Sequence, residues 1–72
     1  MSEARLLWLV ARYPNATALA RRLRDRSAFD LLRRLEARGY ITRQRDQYRL
    51  TRNGRNELAM TLAVLRLVNG GI

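Results

Sequence analysis

Residues 31–41 read Leu31-Leu32-Arg33-Arg34-Leu35-Glu36-Ala37-Arg38-Gly39-Tyr40-Ile41, and this stretch decides the fold. The leucines at its start recur at the spacing of one face of a helix. Gly39 is the residue type that most readily takes the left-handed conformation at the end of a helix. After Gly39 the apolar period changes from about 3.6 residues to about 2, which is typical of a strand. The stretch therefore predicts a helix that stops at Arg38 and leads directly into a β-strand.

A hairpin and a last helix follow this stretch. Residues 40–43 and 47–50 are rich in β-branched and aromatic side chains and predict two short strands. The residues between them, Gln44-Arg45-Asp46, predict a three-residue hairpin loop. Thr51 is a good N-cap for a last helix, which we expect to reach about Val68. Asn69-Gly70-Gly71 should end it.

Two helices are predicted before the deciding stretch. Residues 4–13 carry apolar side chains on two opposite sides, so both sides should be buried, and Pro14 should end this first helix. Thr17 predicts the N-cap of a short second helix over residues 18–25, with Leu19, Ala20 and Leu23 on its buried side.

The third helix should start after Ser27, which is a candidate N-cap. Asp30 stands three residues later and would place a negative charge at the positive end of the helix. Ala28, Leu31, Leu32 and Leu35 would form its buried face. The outward face of this helix would then carry Asp30, Arg33, Arg34 and Ala37, with Phe29 at its border.

The order of these elements predicts the fold class. Three helices, a two-stranded β-hairpin and a fourth helix make a mainly α chain with the winged helix-turn-helix arrangement α1-α2-α3-β-β-α4. We expect residues 1–72 to form one domain. Such a short chain has a small core, and it contains no Cys and no His, so disulfides and a structural zinc site are not expected.

Charge is the strongest compositional signal. The chain carries fifteen basic residues, all of them Arg, and six acidic ones, which gives a net charge of +9. Residues 21–55 contain twelve Arg and four acids, a net charge of +8. Residues 56–72 contain only Glu57 and Arg66, whose charges cancel. A basic middle and a neutral, apolar end suggest two surfaces with different partners, of which the first fits nucleic acid.

Two motifs resemble a known group of proteins. Residues 31–41 are similar to the end of the recognition helix and the first wing strand of winged-helix regulators. The segment Tyr48-Arg49-Leu50-Thr51-Arg52-Asn53-Gly54-Arg55 resembles their second wing strand and the cap of the next helix. Both motifs look like those of MarR-like and PadR-like regulators, over roughly residues 17–57. The link between the second and third helices is shorter than is usual there, and the additional terminal helices of full-length members are missing.

The resemblance implies a double-stranded DNA-binding transcriptional regulator, which we expect to be a repressor. The third helix would enter the major groove and the wing would contact phosphates or the minor groove. The candidate DNA-binding residues are Arg26, Ser27, Asp30, Arg33, Arg34, Arg43, Arg45 and Arg49. Ser27 and Asp30 could instead serve only as helix caps, and the wing arginines could instead be a solvated strand edge.

The first and last helices carry more apolar residues than so small a core can cover. In the last helix Leu58, Leu62 and Leu65 form one stripe, which could close the core of the protomer. A second stripe lies almost opposite. We therefore expect a homodimer, because isolated domains of this size need additional burial. The expected interface residues are Leu7, Trp8, Met60, Val64 and Leu67. A monomer whose apolar residues pack only internally is the alternative.

Other functions fit the sequence less well. Without His or Cys, and with six dispersed acids, no nucleophile–base pair or metal-ligand set is apparent, so we expect neither an enzyme nor a cofactor. RNA binding would favour a pattern of aromatic residues on a sheet for stacking bases, whereas the aromatic residues of this chain are few and mostly at positions that should face the core. A winged-helix adaptor that binds another protein remains the alternative function. No segment suggests a membrane span or a signal peptide, so we expect a cytoplasmic, nucleoid-associated protein.

Overall fold

A computed structural model describes the backbone of residues 1–70 and the side-chain burial of residues 1–67. It contains six elements in the predicted order. They are α1 (Glu3–Arg12), α2 (Ala16–Arg22), α3 (Arg26–Ala37), β1 (Ile41–Gln44), β2 (Gln47–Leu50) and α4 (Arg52–Gly70). The chain is thus mainly α-helical with a two-stranded antiparallel hairpin between α3 and α4, and this order is consistent with a winged-helix topology.

The core is built around α1, which contacts α3, β2 and α4. Its members are fully or almost fully buried: Leu6, Leu7, Val10, Leu19, Leu23, Ala28, Leu32, Leu35, Ile41 and Tyr48. Every element except α4 contributes to this set. Among the side chains of α4 that the structure describes, which extend to Leu67, only Leu58 packs against the core, and it is half-buried.

The helix α2 starts two residues earlier than predicted. Asn15, not Thr17, is its N-cap, and the Asn15 side-chain oxygen accepts hydrogen bonds from the backbone N–H groups of Thr17 and Ala18 at 3.0 and 3.1 Å. The segment before α2 also pairs with the hairpin, because Asn15 forms an isolated antiparallel bridge with Gln47. The cap position is therefore fixed by a contact distant in sequence, which the local pattern does not reveal.

The predicted start of α3 was also wrong. The helix begins at Arg26 with Asp25 as its N-cap residue, and no side chain caps it. Ser27 lies inside the helix, so Ser27 and Asp30 do not form the expected capping pair. The end of α3 was predicted correctly: Gly39 has φ +79, and the Gly39 and Tyr40 N–H groups donate to the Glu36 and Leu35 carbonyls. This pair of backbone hydrogen bonds is the Schellman motif, a common ending of a helix.

The hairpin has a loop of two residues, not three. Gln44 and Gln47 are paired as the last rung of the hairpin, and Tyr40 lies before β1, so only Arg45 and Asp46 form the turn. Arg45 takes a left-handed conformation with φ +58. The Asp46 carbonyl accepts a hydrogen bond of 2.6 Å from the Ala16 N–H group, which fixes the turn against the start of α2.

Thr51 joins three elements at the start of α4. Its hydroxyl accepts a hydrogen bond from the Gly54 N–H group at 3.1 Å and donates one to the Gly39 carbonyl. The Thr51 N–H group donates to the Tyr40 carbonyl at 2.9 Å. A Cβ atom on Gly54 would lie 1.9 Å from the Tyr40 carbonyl oxygen, so only glycine fits there. The Thr51 cap was predicted correctly, and we call residues 39, 40, 51 and 54 the clasp.

The helix α4 continues beyond its expected end. It includes Asn69 and Gly70, whereas Gly71 lies outside the described residues. The radius of gyration is 12.5 Å, larger than the roughly 11 Å expected for a compact chain of this length. The longest dimension is 42 Å against 25 and 18 Å for the others. No helix in the described part of the chain is both long and apolar enough to cross a membrane.

Candidate nucleic-acid interface

The outward face of α3 is arranged as its sequence predicts. Ala28, Leu32 and Leu35 are buried, and this holds the opposite side of the helix toward solvent. The predicted outward residues Asp30, Arg33, Arg34 and Ala37 are all exposed. The candidate DNA-binding residues Arg26 and Ser27 are exposed as well. Since the Schellman ending and the clasp fix the end of α3, this face has a defined direction relative to the hairpin.

Arg33 and Arg43 come together along one groove. The groove has a volume of about 440 Å³ and lies between α2, α3 and β1. Its floor is apolar and includes Leu19, Leu23 and Leu32. One basic side chain from α3 and one from the hairpin therefore line the same concave surface, together with the carboxylate of Glu36, which the sequence had not singled out.

Arg34 lies on the other flank of α3. It lines a shallow depression of about 240 Å³ with Ser27, Asp30, Leu31 and Met1. The two arginines expected to contact base edges therefore diverge on either side of the helix. Ser27 and Asp30 share the flank of Arg34, and neither side chain makes a hydrogen bond to another described residue.

The hairpin positions its arginines on different faces. Arg43 is paired with Tyr48, and its guanidinium carbon lies 5.4 Å from the centre of the Tyr48 ring, on the groove side. The Arg43 Nε–H group donates to the Arg45 carbonyl at 2.8 Å, which leaves its other donors for a ligand. Arg49 is paired with Thr42 and lines a separate depression with Arg55. The wing arginines thus do not form one surface.

A second group of arginines surrounds Tyr13 on the far side of α2. The guanidinium carbons of Arg22 and Arg12 lie 4.4 and 5.6 Å from the centre of the Tyr13 ring. Arg21 and Arg24 line the adjacent depression. In the sequence Arg21, Arg22 and Arg24 belong to the basic middle of the chain, and Arg12 was not singled out. The placement of Arg12 and Arg22 over one aromatic ring depends on how α1 and α2 pack together.

Few of these charges are neutralised within the protein. Among the described residues the one ion pair joins Arg38 to Glu3, with the Arg38 Nη1 and Glu3 Oε1 atoms 2.7 Å apart. All of the arginines are exposed. A surface with so many exposed guanidinium groups and so few carboxylates repels itself, and an anionic partner relieves that repulsion.

The expected dimer residues have different environments. Leu7 is completely buried in the core of its own protomer, so the prediction that it lies at an interface was wrong. Trp8 is 48% exposed, and Met60, Val64 and Leu67 are 67%, 57% and 77% exposed. The expectation that Leu62 and Leu65 close the protomer core was also wrong, because both are exposed. We call residues 59–67 the apolar end of α4.

The chain was compared with known proteins. Protein-family models, curated proteins and solved structures give no match to it.

Proposed function

We propose that this protein binds double-stranded DNA sequence-specifically as a transcriptional regulator, with α3 in the major groove. The observation that carries the proposal is that Arg33 of α3 and Arg43 of the hairpin line the same groove. A helix placed in the major groove brings the flanking elements of the protein onto the adjacent phosphates. The arrangement therefore supplies base-edge and phosphate contacts from one continuous surface.

The electrostatics favour the same partner. Residues 21–55 carry a net charge of +8, and a single ion pair is formed among the described residues. Guanidinium groups make bidentate contacts to guanine and to phosphate. The resemblance of the wing and the Leu-Thr-x-x-Gly-Arg cap to MarR-like and PadR-like regulators points to duplex DNA rather than to another polyanion.

Individual roles follow from position. Arg33 and Arg34 diverge from the axis of α3, so they contact bases or phosphates on opposite sides of the inserted helix. Ser27 and Asp30 supply polar contacts on the flank of Arg34. Arg26, Arg43 and Arg45 contact phosphates at the edges. Arg49 lies on the other face of the hairpin and contributes least to binding.

We further propose that two copies bind together through the apolar end of α4 and Trp8. A net charge of +9 makes two copies repel one another, and this repulsion is weakest at the neutral end of the chain. Met60, Val64 and Leu67 recur along one side of this end and are all exposed, so it offers more apolar surface than single scattered residues would give. A two-fold dimer places two α3 helices in successive major grooves about 34 Å apart and represses by excluding polymerase.

The first experiment is a salt titration of DNA binding. Binding to the upstream region of its own coding sequence should exceed binding to a random duplex. The logarithm of the affinity should fall by about 0.9 per phosphate contact for each tenfold rise in salt. No duplex binding at moderate salt would contradict the proposal and favour a winged-helix adaptor, for which the exposed apolar end of α4 would be the protein-binding surface.

A double variant tests the assignment of α3. Arg33→Ala with Arg34→Ala should abolish the preference for the specific site, because both side chains that flank the inserted helix are lost. The control is Arg5→Ala with Arg52→Ala, which removes the same charge from exposed positions outside both the α3 face and the apolar end of α4. This control should lower affinity for all duplexes slightly and leave the preference intact. Unchanged preference in the first variant would show that α3 is not the reading element.

A charge placed on the apolar end tests the dimer. Leu67→Glu should sediment as a monomer, because a carboxylate at a buried interface has no partner. Gln47→Glu adds the same charge at an exposed hairpin position and should leave the dimer unchanged. A dimeric Leu67→Glu protein would mean that the interface lies elsewhere.

A further inference from the structure

Phe29 is an exposed aromatic side chain that lines the same groove as two exposed arginines. It lies in α3 one turn before Arg33 and is 38% exposed. Phe29, Arg33 and Arg43 line the same groove. Burial of an aromatic ring away from water is favourable, so an exposed ring gains free energy when a partner covers it. The position of Phe29 beside arginines therefore indicates a partner that presents an apolar group within a polar surface.

DNA offers one apolar group in the major groove. The edges of the four bases present hydrogen-bond donors and acceptors there, and the 5-methyl group of a pyrimidine is the exception. Thymine always carries this methyl group, and cytosine carries it only when methylated. The surface that holds Arg33 is the one that the proposed function places against base edges, so Phe29 would meet these groups first.

We infer that Phe29 is a specificity-determining residue that packs against the 5-methyl group of a pyrimidine in the major groove. The inference rests on the proposed DNA-binding function. Phe29 lines the groove together with Leu23 and Leu32 of its apolar floor, so the ring has an apolar surface beside it. The neighbouring Arg33 then contacts the next base or phosphate, and the pair reads two adjacent positions.

The experiment starts from duplex sites selected from a random pool by the wild-type protein. Each conserved thymine in turn is replaced by deoxyuridine, which removes only the methyl group. At the position that Phe29 contacts, affinity should fall about fourfold, the effect of one buried methyl group. In a parallel series each cytosine is replaced by 5-methylcytosine, and a gain of similar size identifies methylated cytosine as the source of the methyl group.

The variants assign the effect to Phe29. Phe29→Ala should bind the thymine and deoxyuridine sites with equal affinity, and Phe29→Leu should retain part of the difference. Arg33→Ala is the matched control: it should bind both sites more weakly while keeping the fourfold ratio. The ratio of the affinities for the thymine and deoxyuridine sites is measured within each variant. A general loss of stability lowers both affinities and therefore does not change this ratio. Circular dichroism confirms that each variant is folded.

The outcomes separate this inference from the proposed function. Specific binding with no methyl effect at any position, or a methyl effect that persists in Phe29→Ala, would overturn the role of Phe29 and leave DNA recognition by α3 standing. Failure to select any sequence would instead contradict the proposed function itself. An effect of methylcytosine without one of thymine would keep the role of Phe29 and change the source of the methyl group.

Discussion

The apolar side chains of residues 1–58 and those of residues 59–67 differ in their burial. In the first region the large aliphatic side chains close into a core, and Leu7 has no exposed surface. In the second region Leu67 is 77% exposed, although it belongs to the same residue type. The first region is also strongly basic, whereas the second contains a single charge, Arg66. The difference teaches that the core of the fold closes before the end of α4, so the apolar side chains of residues 59–67 lie outside that core.

The largest effect on stability is expected when a leucine of the first region is truncated, compared with a leucine of the second. Leu7→Ala should lower the free energy of unfolding by about 3 kcal/mol, because it leaves a cavity in a closed core. Leu67→Ala should change it by less than about 0.5 kcal/mol in dilute protein, where no partner covers it. Urea denaturation at low protein concentration measures both. Equal losses would mean that the apolar end belongs to the same folding unit as the core.

The next effect concerns the two glycines of the clasp. Gly54→Ala should lower the free energy of unfolding by about 3 kcal/mol, since the new Cβ atom would overlap the Tyr40 carbonyl oxygen. Gly39→Ala is the control, because a Cβ atom there meets no atom within 4 Å and only the positive φ is unfavourable. We expect about 1 kcal/mol for it. Thermal denaturation shows which variant is less stable. A larger loss for Gly39→Ala than for Gly54→Ala would contradict the close approach of the Tyr40 carbonyl to Gly54.

A smaller effect contrasts two threonines. Thr51→Val removes a hydroxyl that makes two hydrogen bonds in the clasp and should lower the free energy of unfolding by about 1.5 kcal/mol. Thr61→Val removes a hydroxyl that donates only to the Glu57 carbonyl within α4, at 3.0 Å. We expect less than about 0.5 kcal/mol for this second change. If chemical denaturation shows similar losses for both, the clasp does not couple α4 to the rest of the fold.

The smallest effect is that of the ion pair between α1 and the end of α3. The Arg38 and Glu3 side chains are 56% and 41% exposed, so solvent screens their attraction. A double-mutant cycle with Glu3→Gln and Arg38→Gln should give a coupling below about 0.5 kcal/mol. A coupling well above 1 kcal/mol would show that this contact, as well as the apolar core, holds the first region together.

The sequence predicted the features that local chemistry decides. The order of elements, the ending of α3 at Gly39 and the cap at Thr51 each follow from a few adjacent residues, and the structure confirms them. The outward face of α3 follows from helical spacing, and its arginines are exposed as expected. The DNA-binding and dimer roles of these residues stay predictions.

The features that the sequence missed depend on contacts between distant segments. The start of α2 and the length of the hairpin loop are linked, since the Ala16 N–H group donates to the Asp46 carbonyl. A three-residue loop would have paired Arg43 with Gln47 and put Arg43 and Arg49 on one face. The two-residue loop pairs Arg43 with Tyr48 instead. Because side chains alternate along a strand, this change of one residue moves the two arginines to opposite faces.

The clasp has a consequence for the geometry of DNA recognition. It ties the last turn of α3 to the first turn of α4, and α4 is a single helix of 19 residues, about 28 Å long. In the proposed dimer, α4 is thus a rigid connection between the dimer interface at its apolar end and the DNA-contacting helix α3. Each residue added to α4 between the clasp and residue 59 would turn α3 by about 100° around the axis of α4 and move it by about 1.5 Å. Insertions of seven residues, close to two full turns, would preserve the angle and lengthen the spacing between half-sites.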